Sequence, residues 1–256
     1  MKVLSVLLIG LSTLFFFQTK EKTTIFLVGD STVQNGSGKG EGRLWGWGAF
    51  FADQLDTTQV EVVNRARGGR SSRTFISEGL WDQVHAQIDS GDYVIIQFGH
   101  NDGGAINDDF RARGSIRGNG DEMEEIDNIL TGQREMVRSY GWYIRKYCHD
   151  TKAKGGIPIV CSLVARNVWK DGKVDRATES YAKWAREAAK MEGAYFIDLN
   201  DLVATKYESL GQDYVTSGLF VKDHTHTNKE GAIINAKLVA EAIKELKDCG
   251  LGDLVK

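Results

Sequence analysis

Between residues 23 and 250, short apolar runs alternate with longer stretches in which apolar positions recur at helical spacing. The runs TTIFLVGD, VEVVNRA, DYVIIQFG, IPIVCSLV and AYFIDL predict strands beginning at Thr23, Val60, Asp92, Ile157 and Ala194. Helical spacing predicts helices over 44–55, 73–88, 133–155, 177–193 and about 228–247. Short apolar strands alternating with helices imply βαβ units and a parallel sheet covered on both faces. The polar stretch from Asn101 to Gly132 interrupts the order and reads as an insertion near a site. There is no repeat, low-complexity tract or Pro-rich linker, and the only proline, Pro158, stands at a strand start. The simplest organisation is a single domain over 23–256.

The chain opens differently, on MKVLSVLLIGLSTLFFFQTKEK. One early Lys precedes an apolar run from Val3 to Phe17, and a charged exit follows it. That run is shorter than the roughly 20 residues that span a bilayer, and it fits the apolar part of a secretory signal. No small-x-small cleavage site is present, so residues 1–22 read as a signal peptide or an uncleaved N-terminal anchor. A buried first helix fits less well, because the run is apolar on every face. The expectation is export, to the periplasm or outside the cell.

Parallel α/β sheets place their ligand sites outside the carboxyl ends of the strands. The loops after the first four strands begin at Asp30-Ser31, at RARGGRSS, at GHNDGG and at ARNVWKDG, and they share one rim. Composition narrows what that rim can do. The 256 residues carry a net charge of −3 and a pI near 6.0, which argues against a nucleic-acid partner. Cys148, Cys161 and Cys249 are too widely spaced for a zinc knuckle or a disulfide scaffold.

A serine nucleophile needs a base, and the base needs an acid to hold it. Of five histidines, His85 and His149 fall within predicted helices, while His100, His224 and His226 fall in loops that can reach the rim. In KDHTHTNKEGA, Asp223 precedes His226 by three residues, and Thr227 with Glu230 has the capping-box pattern that would start the last helix behind the imidazole. His224 is the competing base. Oxyanion donors are available at Ser31, in the Gly68-Gly69 turn and at Asn101. Asp30 beside the serine reads as a brace for the turn, and Asp102 as a helix cap. His224-x-His226 supplies two metal ligands without a third at suitable spacing. No G-x-S-x-G elbow or P-loop is present.

GDST, the later glycine of GGRSS, GHND and DHTH occur in the order of four sequence blocks, and with them the chain resembles the SGNH, or GDSL-like, hydrolases. GRSS, DYVIIQFGHNDGG and DHTHT resemble the rhamnogalacturonan acetylesterase branch in particular, and the resemblance covers roughly residues 24 to 248. It implies an α/β fold: a three-layer α/β/α sandwich around a flavodoxin-like parallel sheet of five strands. It implies Ser31 as nucleophile, His226 as base and Asp223 as its orienting acid. It implies an oxyanion hole from the N–H groups of Ser31 and Gly69 and the side chain of Asn101, with no metal and no cofactor. Arg67-Gly68 ahead of Gly69, and the stretch Asp109 to Glu125, depart from the family pattern.

The expected activity is a serine carbohydrate esterase that removes acetyl groups from plant cell-wall polysaccharide, with pectic rhamnogalacturonan favoured and acetylated xylan next. Candidate substrate contacts are Arg70, His100, Arg166 and Trp169. For His100 a structural hydrogen-bonding role is favoured, for Arg166 and Trp169 a solvated loop competes, and Trp45 and Trp47 read as packing. A lipase or thioesterase on the same fold would need an apolar acyl groove, which these polar loops do not offer. A carbohydrate-binding module would need neither nucleophile nor base. The expected partner is the acetylated polysaccharide or oligosaccharide, met by a monomer with no stable membrane association once processed.

Overall fold

The computed structural model describes residues 22–256, so the leader reading over 1–22 lies, but for Lys22, outside the described residues. In chain order the strands are β1 (Thr23–Gly29), β2 (Val60–Asn64), β3 (Tyr93–Gln97), β4 (Met123–Asp127), β5 (Arg134–Arg138), β6 (Ile157–Cys161), β7 (Trp169–Lys170), β8 (Lys173–Val174) and β9 (Tyr195–Ile197). The helices are α1 (Ser72–Ser77), α2 (Leu80–His85), α3 (Tyr140–Ala153), α4 (Tyr181–Glu192), α5 (Leu199–Leu210), α6 (Gln212–Tyr214) and α7 (Lys229–Lys244).

The apolar runs become the central sheet because both of their faces are covered. Five strands lie side by side, all parallel, in the order β2, β1, β3, β6, β9. Along them the side chains alternate between two cores. Ile25, Leu27, Ile95 and Ile159 pack on one face against Val203 and Tyr207 of α5 and Ala236 and Val239 of α7. Phe26, Val28, Val94, Ile96 and Val160 pack on the other, against Phe75 of α1, Trp81 of α2, Tyr147 of α3 and Ala185 of α4. Each such buried Val, Ile or Phe contributes about 1.5–3 kcal/mol relative to exposure. The result is the expected three-layer α/β/α sandwich. Register aligns Gly29, Gln97 and Cys161 at the carboxyl ends, so the loops that follow share one rim.

Several elements differ from the expected ones. Residues 44–55 make two 3₁₀ turns, Trp47–Ala49 and Ala52–Gln54, in place of an α-helix. Their N–H groups are drawn to the exit of β1: Trp47 N donates to Thr32 O (2.9 Å) and Gly48 N to Val33 O (3.0 Å). The helix expected over 73–88 breaks at Gly79 into α1 and α2. The one expected over 133–155 is a strand followed by a helix. Residues 134–138 pair antiparallel with β4, Val137 turns inward, and Ser139 caps α3 by accepting from Trp142 N at 3.1 Å. A helical window read across that cap hides the change of period.

The 101–132 segment is therefore part of an ordered platform. Buried Arg73 ties it down, donating to both oxygens of Glu135 (2.7 and 2.6 Å) and to the carbonyls of Ile106 and Gly114 (2.7 and 2.8 Å). A buried guanidinium is tolerable only when its donors are met in this way. The last helix is capped by Asn228, which accepts from Gly231 N at 3.1 Å. Thr227 and Glu230 do not form the expected capping box: Thr227 Oγ1 donates to Trp45 O, and Glu230 accepts from Tyr214. The three cysteines are free and buried.

Candidate active site

β1 ends in a turn that places Ser31 at the rim. Val33 N and Gln34 N both donate to Asp30 O, at 3.1 and 3.0 Å. A buried polar chain holds the turn from beneath: Trp47 Nε1 donates to Gln97 Oε1, Gln97 Nε2 to Thr32 Oγ1, and Thr32 Oγ1 to Asp30 Oδ1. Asp30 Oδ1 also accepts from Thr32 N at 2.8 Å, so Asp30 braces the turn. Burial raises its carboxyl above the usual range, against the bonds from Thr32.

Between α6 and α7, the loop 222–228 brings the imidazole of His226 over this turn. Ser31 Oγ lies 2.8 Å from His226 Nε2, and His226 Nδ1 lies 2.8 Å from Asp223 Oδ2. Asp223 Oδ1 accepts from the backbone N–H groups of Thr225 (2.7 Å) and His226 (2.8 Å), which locks the carboxylate under the ring. Partial burial would raise Asp223, but the bonds from the His226 ring and from these N–H groups outweigh it and hold the carboxyl down at about 2. His224 is exposed, and the ring against Ser31 is that of His226. Both ring nitrogens of His226 are committed, so His224-x-His226 does not offer a pair of free metal ligands.

Gly69 sits at φ +81°, in the left-handed region that favours glycine, and so turns the loop after β2 towards the serine. Neither Ser31 N nor Gly69 N meets a protein acceptor among the described residues. Asn101 is buried after β3 and spends one amide hydrogen on Arg70 O at 2.8 Å, which leaves the other. Ser31, Gly69, Asn101 and His226 all line one cavity of about 470 Å³.

A family model for the GDSL-like Lipase/Acylhydrolase family matches residues 27–232. The chain belongs to the GDSL-like lipase/acylhydrolase family. It is a carboxylic ester hydrolase. A rhamnogalacturonan acetylesterase of Emericella nidulans is 33% identical over 92% of this chain and 90% of its own. The rhamnogalacturonan acetylesterase RhgT of Bacillus subtilis is 29% identical over 89% of this chain and 92% of its own. Among solved structures, Bacillus subtilis YxiM superposes with a TM-score of 0.69 at 24% identity, over 88% of this chain and 56% of that longer one. An acetylxylan esterase from Geobacillus stearothermophilus superposes at 0.59 with 18% identity, over 88% of this chain and 96% of its own. At these identities the two structures speak to the fold alone.

The expected substrate contacts divide. Arg166 and His100 line the cavity. Arg70 is drawn away into an ion pair with Glu78 at 2.8 Å, and only its carbonyl serves the site. Trp169 stands outside the cavity lining: it belongs to the small β7–β8 hairpin, packs against the core and donates to Asn167 Oδ1 at 2.7 Å. Arg111 and Arg113, both inside the stretch that departs from the GDSL-like pattern, line the cavity with Asn35, Gly36 and Thr225. The spaced arginines of FRARGS, downstream of Asn101 on the same rim, were the signal that could have found them. Asp102 caps a neighbouring helix in place of its own, accepting from Ser72 N at the start of α1 (3.1 Å) and from Ser115 Oγ (3.1 Å).

His100 does not take the structural hydrogen-bonding role. Both of its ring nitrogens are closed to solvent and lack a protein partner. Burial, then the charge of Arg166, hold its pKa down at about 3 against the ordinary 6.5, so the ring is neutral in the folded enzyme. The unfolded chain takes up that proton near 6.5, so the stability involved is present above 6.5 and lost as pH falls towards 3. Asp102, raised by burial to about 6, acts in the opposite sense, losing stability as pH rises from 3.8 to 6. A His100→Gln comparison cancels the Asp102 effect. The stability of the parent relative to His100→Gln should fall by on the order of 4 kcal/mol between pH 7 and pH 3, measured by denaturant titration. A constant difference over that range would mean that His100 titrates alike in both states.

Proposed function

We propose that this chain is a serine carbohydrate esterase that removes acetyl groups from plant cell-wall polysaccharide, with pectic rhamnogalacturonan as its substrate. One observation carries the reading: the unbroken hydrogen-bonded run Asp223–His226–Ser31 opening into a polar cavity. Ser31 Oγ attacks the acetyl carbonyl carbon as His226 Nε2 takes the hydroxyl proton. Asp223 fixes the Nδ1–H tautomer and stabilises the imidazolium. The N–H groups of Ser31 and Gly69 and the free amide hydrogen of Asn101 meet the developing oxyanion. Collapse expels the sugar oxygen, which takes the proton from His226, and leaves an acetyl-enzyme. Water, deprotonated by the same imidazole, attacks the acetyl carbon; collapse breaks the bond to Ser31 Oγ, which takes the proton back from His226, and acetate leaves.

The cavity wall of Asn, His and Arg side chains and glycine backbone supports a sugar ester over a long acyl chain, which needs an apolar groove. The rhamnogalacturonan acetylesterases of Emericella nidulans and Bacillus subtilis among the relatives support the pectic choice. Export through the leader would suit a polymer too large to enter a cell. Acetate release from acetylated rhamnogalacturonan, acetylated xylan and long-chain acyl esters tests the reading. The highest kcat/KM is expected on the pectic polymer. A preference for xylan would move the substrate, and turnover confined to long acyl chains would remove carbohydrate from the account.

A further inference from the structure

The cavity beside Ser31 is cationic in a way that acetyl transfer alone does not require. Arg111, Arg113 and Arg166 line it, and no Asp or Glu among the described residues does. Elsewhere arginines hold carboxylates: Arg70 holds Glu78, Arg73 holds Glu135, and Arg176 holds Asp201 and Glu208. The three cavity arginines have no such partner among the described residues. Arg113 Nη1 donates to Gly69 O (3.1 Å) and Arg166 Nη2 to His100 O (3.3 Å), contacts that aim a guanidinium without neutralising it. Arg111 rests over the ring of Phe110, 4.7 Å from its centroid, and Phe110 is itself 73% exposed. The acid on the same loop, Asp108, is turned to the backbone N–H groups of Phe110, Arg111 and Ala112. Burial and then the like charge of Arg111 depress the Arg113 guanidinium, with Asp30 and Asp102 pulling the other way. A bound anion would relieve that repulsion.

We propose that Arg111, supported by Arg113 and Arg166, forms a carboxylate subsite that seats a uronate unit of the acetylated sugar chain beside the scissile ester. The subsite rests on the esterase reading above for which polymer occupies it, and on the arginines alone for its charge. The planar guanidinium fork matches a carboxylate in two parallel bonds, and a neutral sugar offers it no such partner.

The test is competition against hydrolysis of a soluble aryl acetate by the full chain. Unacetylated oligogalacturonate should inhibit competitively. Its methyl ester, which keeps the sugars and removes the charge, should inhibit about 10-fold or more weakly, the range of a charge-assisted hydrogen bond. Acetate at equal carboxylate concentration should inhibit far less than the oligomer. In Arg111→Ala, an exposed position, the free acid and the methyl ester should inhibit within about threefold of each other. Arg111→Lys should recover part of the difference. Equal inhibition by acid and ester in the parent, a preference unchanged in Arg111→Ala, or acetate as potent as the oligomer would each overturn the subsite. Acetate release from acetylated rhamnogalacturonan judges the substrate reading separately. Its absence beside charge-selective inhibition would remove the polymer and leave the subsite.

Discussion

Ser31→Ala should fold like the parent and lose about 10⁴- to 10⁶-fold in kcat/KM on an aryl acetate, the range set by deleting the serine of comparable triads. The chain Trp47–Gln97–Thr32–Asp30 holds the turn, and the Ser31 hydroxyl is not part of it. Removing Oγ therefore takes away the attacking atom and leaves its support. Thr225 also lines the cavity, but the hydroxyl that meets His226 Nε2 is that of Ser31. Thermal unfolding should stay within about 2 °C of the parent, less than a 1 kcal/mol loss would produce. A pure, folded variant that keeps one hundredth of parental turnover would place the nucleophile elsewhere.

Asp223→Asn should lower kcat by about 10⁴-fold with the fold intact. Asp223 acts through the ring: its carboxylate accepts from Nδ1, so the lone pair of Nε2 faces Ser31. An amide can instead present its own N–H to Nδ1 and stabilise the wrong tautomer. It also withdraws the negative charge that stabilises the imidazolium of the transition state. Because Asp223 is held at about 2, it is ionised throughout the range above pH 4 and contributes no limb to the pH–rate profile there. The stability it contributes is present above the ordinary 3.8 and is lost as pH falls towards 2. The comparison variant is His224→Ala, exposed and not the ring on Ser31, which should retain parental turnover. A dead His224→Ala beside an active His226→Ala would make His224 the base.

The parts legible in sequence share a physical cause. Strand runs such as Phe26 to Val28 are apolar at every position because both faces of the sheet are buried, and such a run stands out locally. Ser31, Gly69 and Asn101 stand just past strand ends, where a parallel sheet exposes its rim. Asp223 and His226 are three residues apart, so their pairing is local geometry. The departures came where a distant surface decided. Residues 44–55 carry a helical pattern, but the carbonyls of Thr32 and Val33 take their N–H groups. Residues 134–138 pair with a strand that has no apolar run to announce it, since only Ile126 of β4 is buried.

The sequence by itself determined the covered parallel sheet and the residues that meet at its rim, because burial period and strand-end position are written in local order. It could not determine the walls of the cavity. Those depend on which charge reaches which partner first, and that is settled by distances between segments far apart in the chain. Arg70 and Arg73 read like Arg111 and Arg113 on paper. The tertiary structure gives the first pair the carboxylates of Glu78 and Glu135, and turns the second pair, unneutralised, towards the serine.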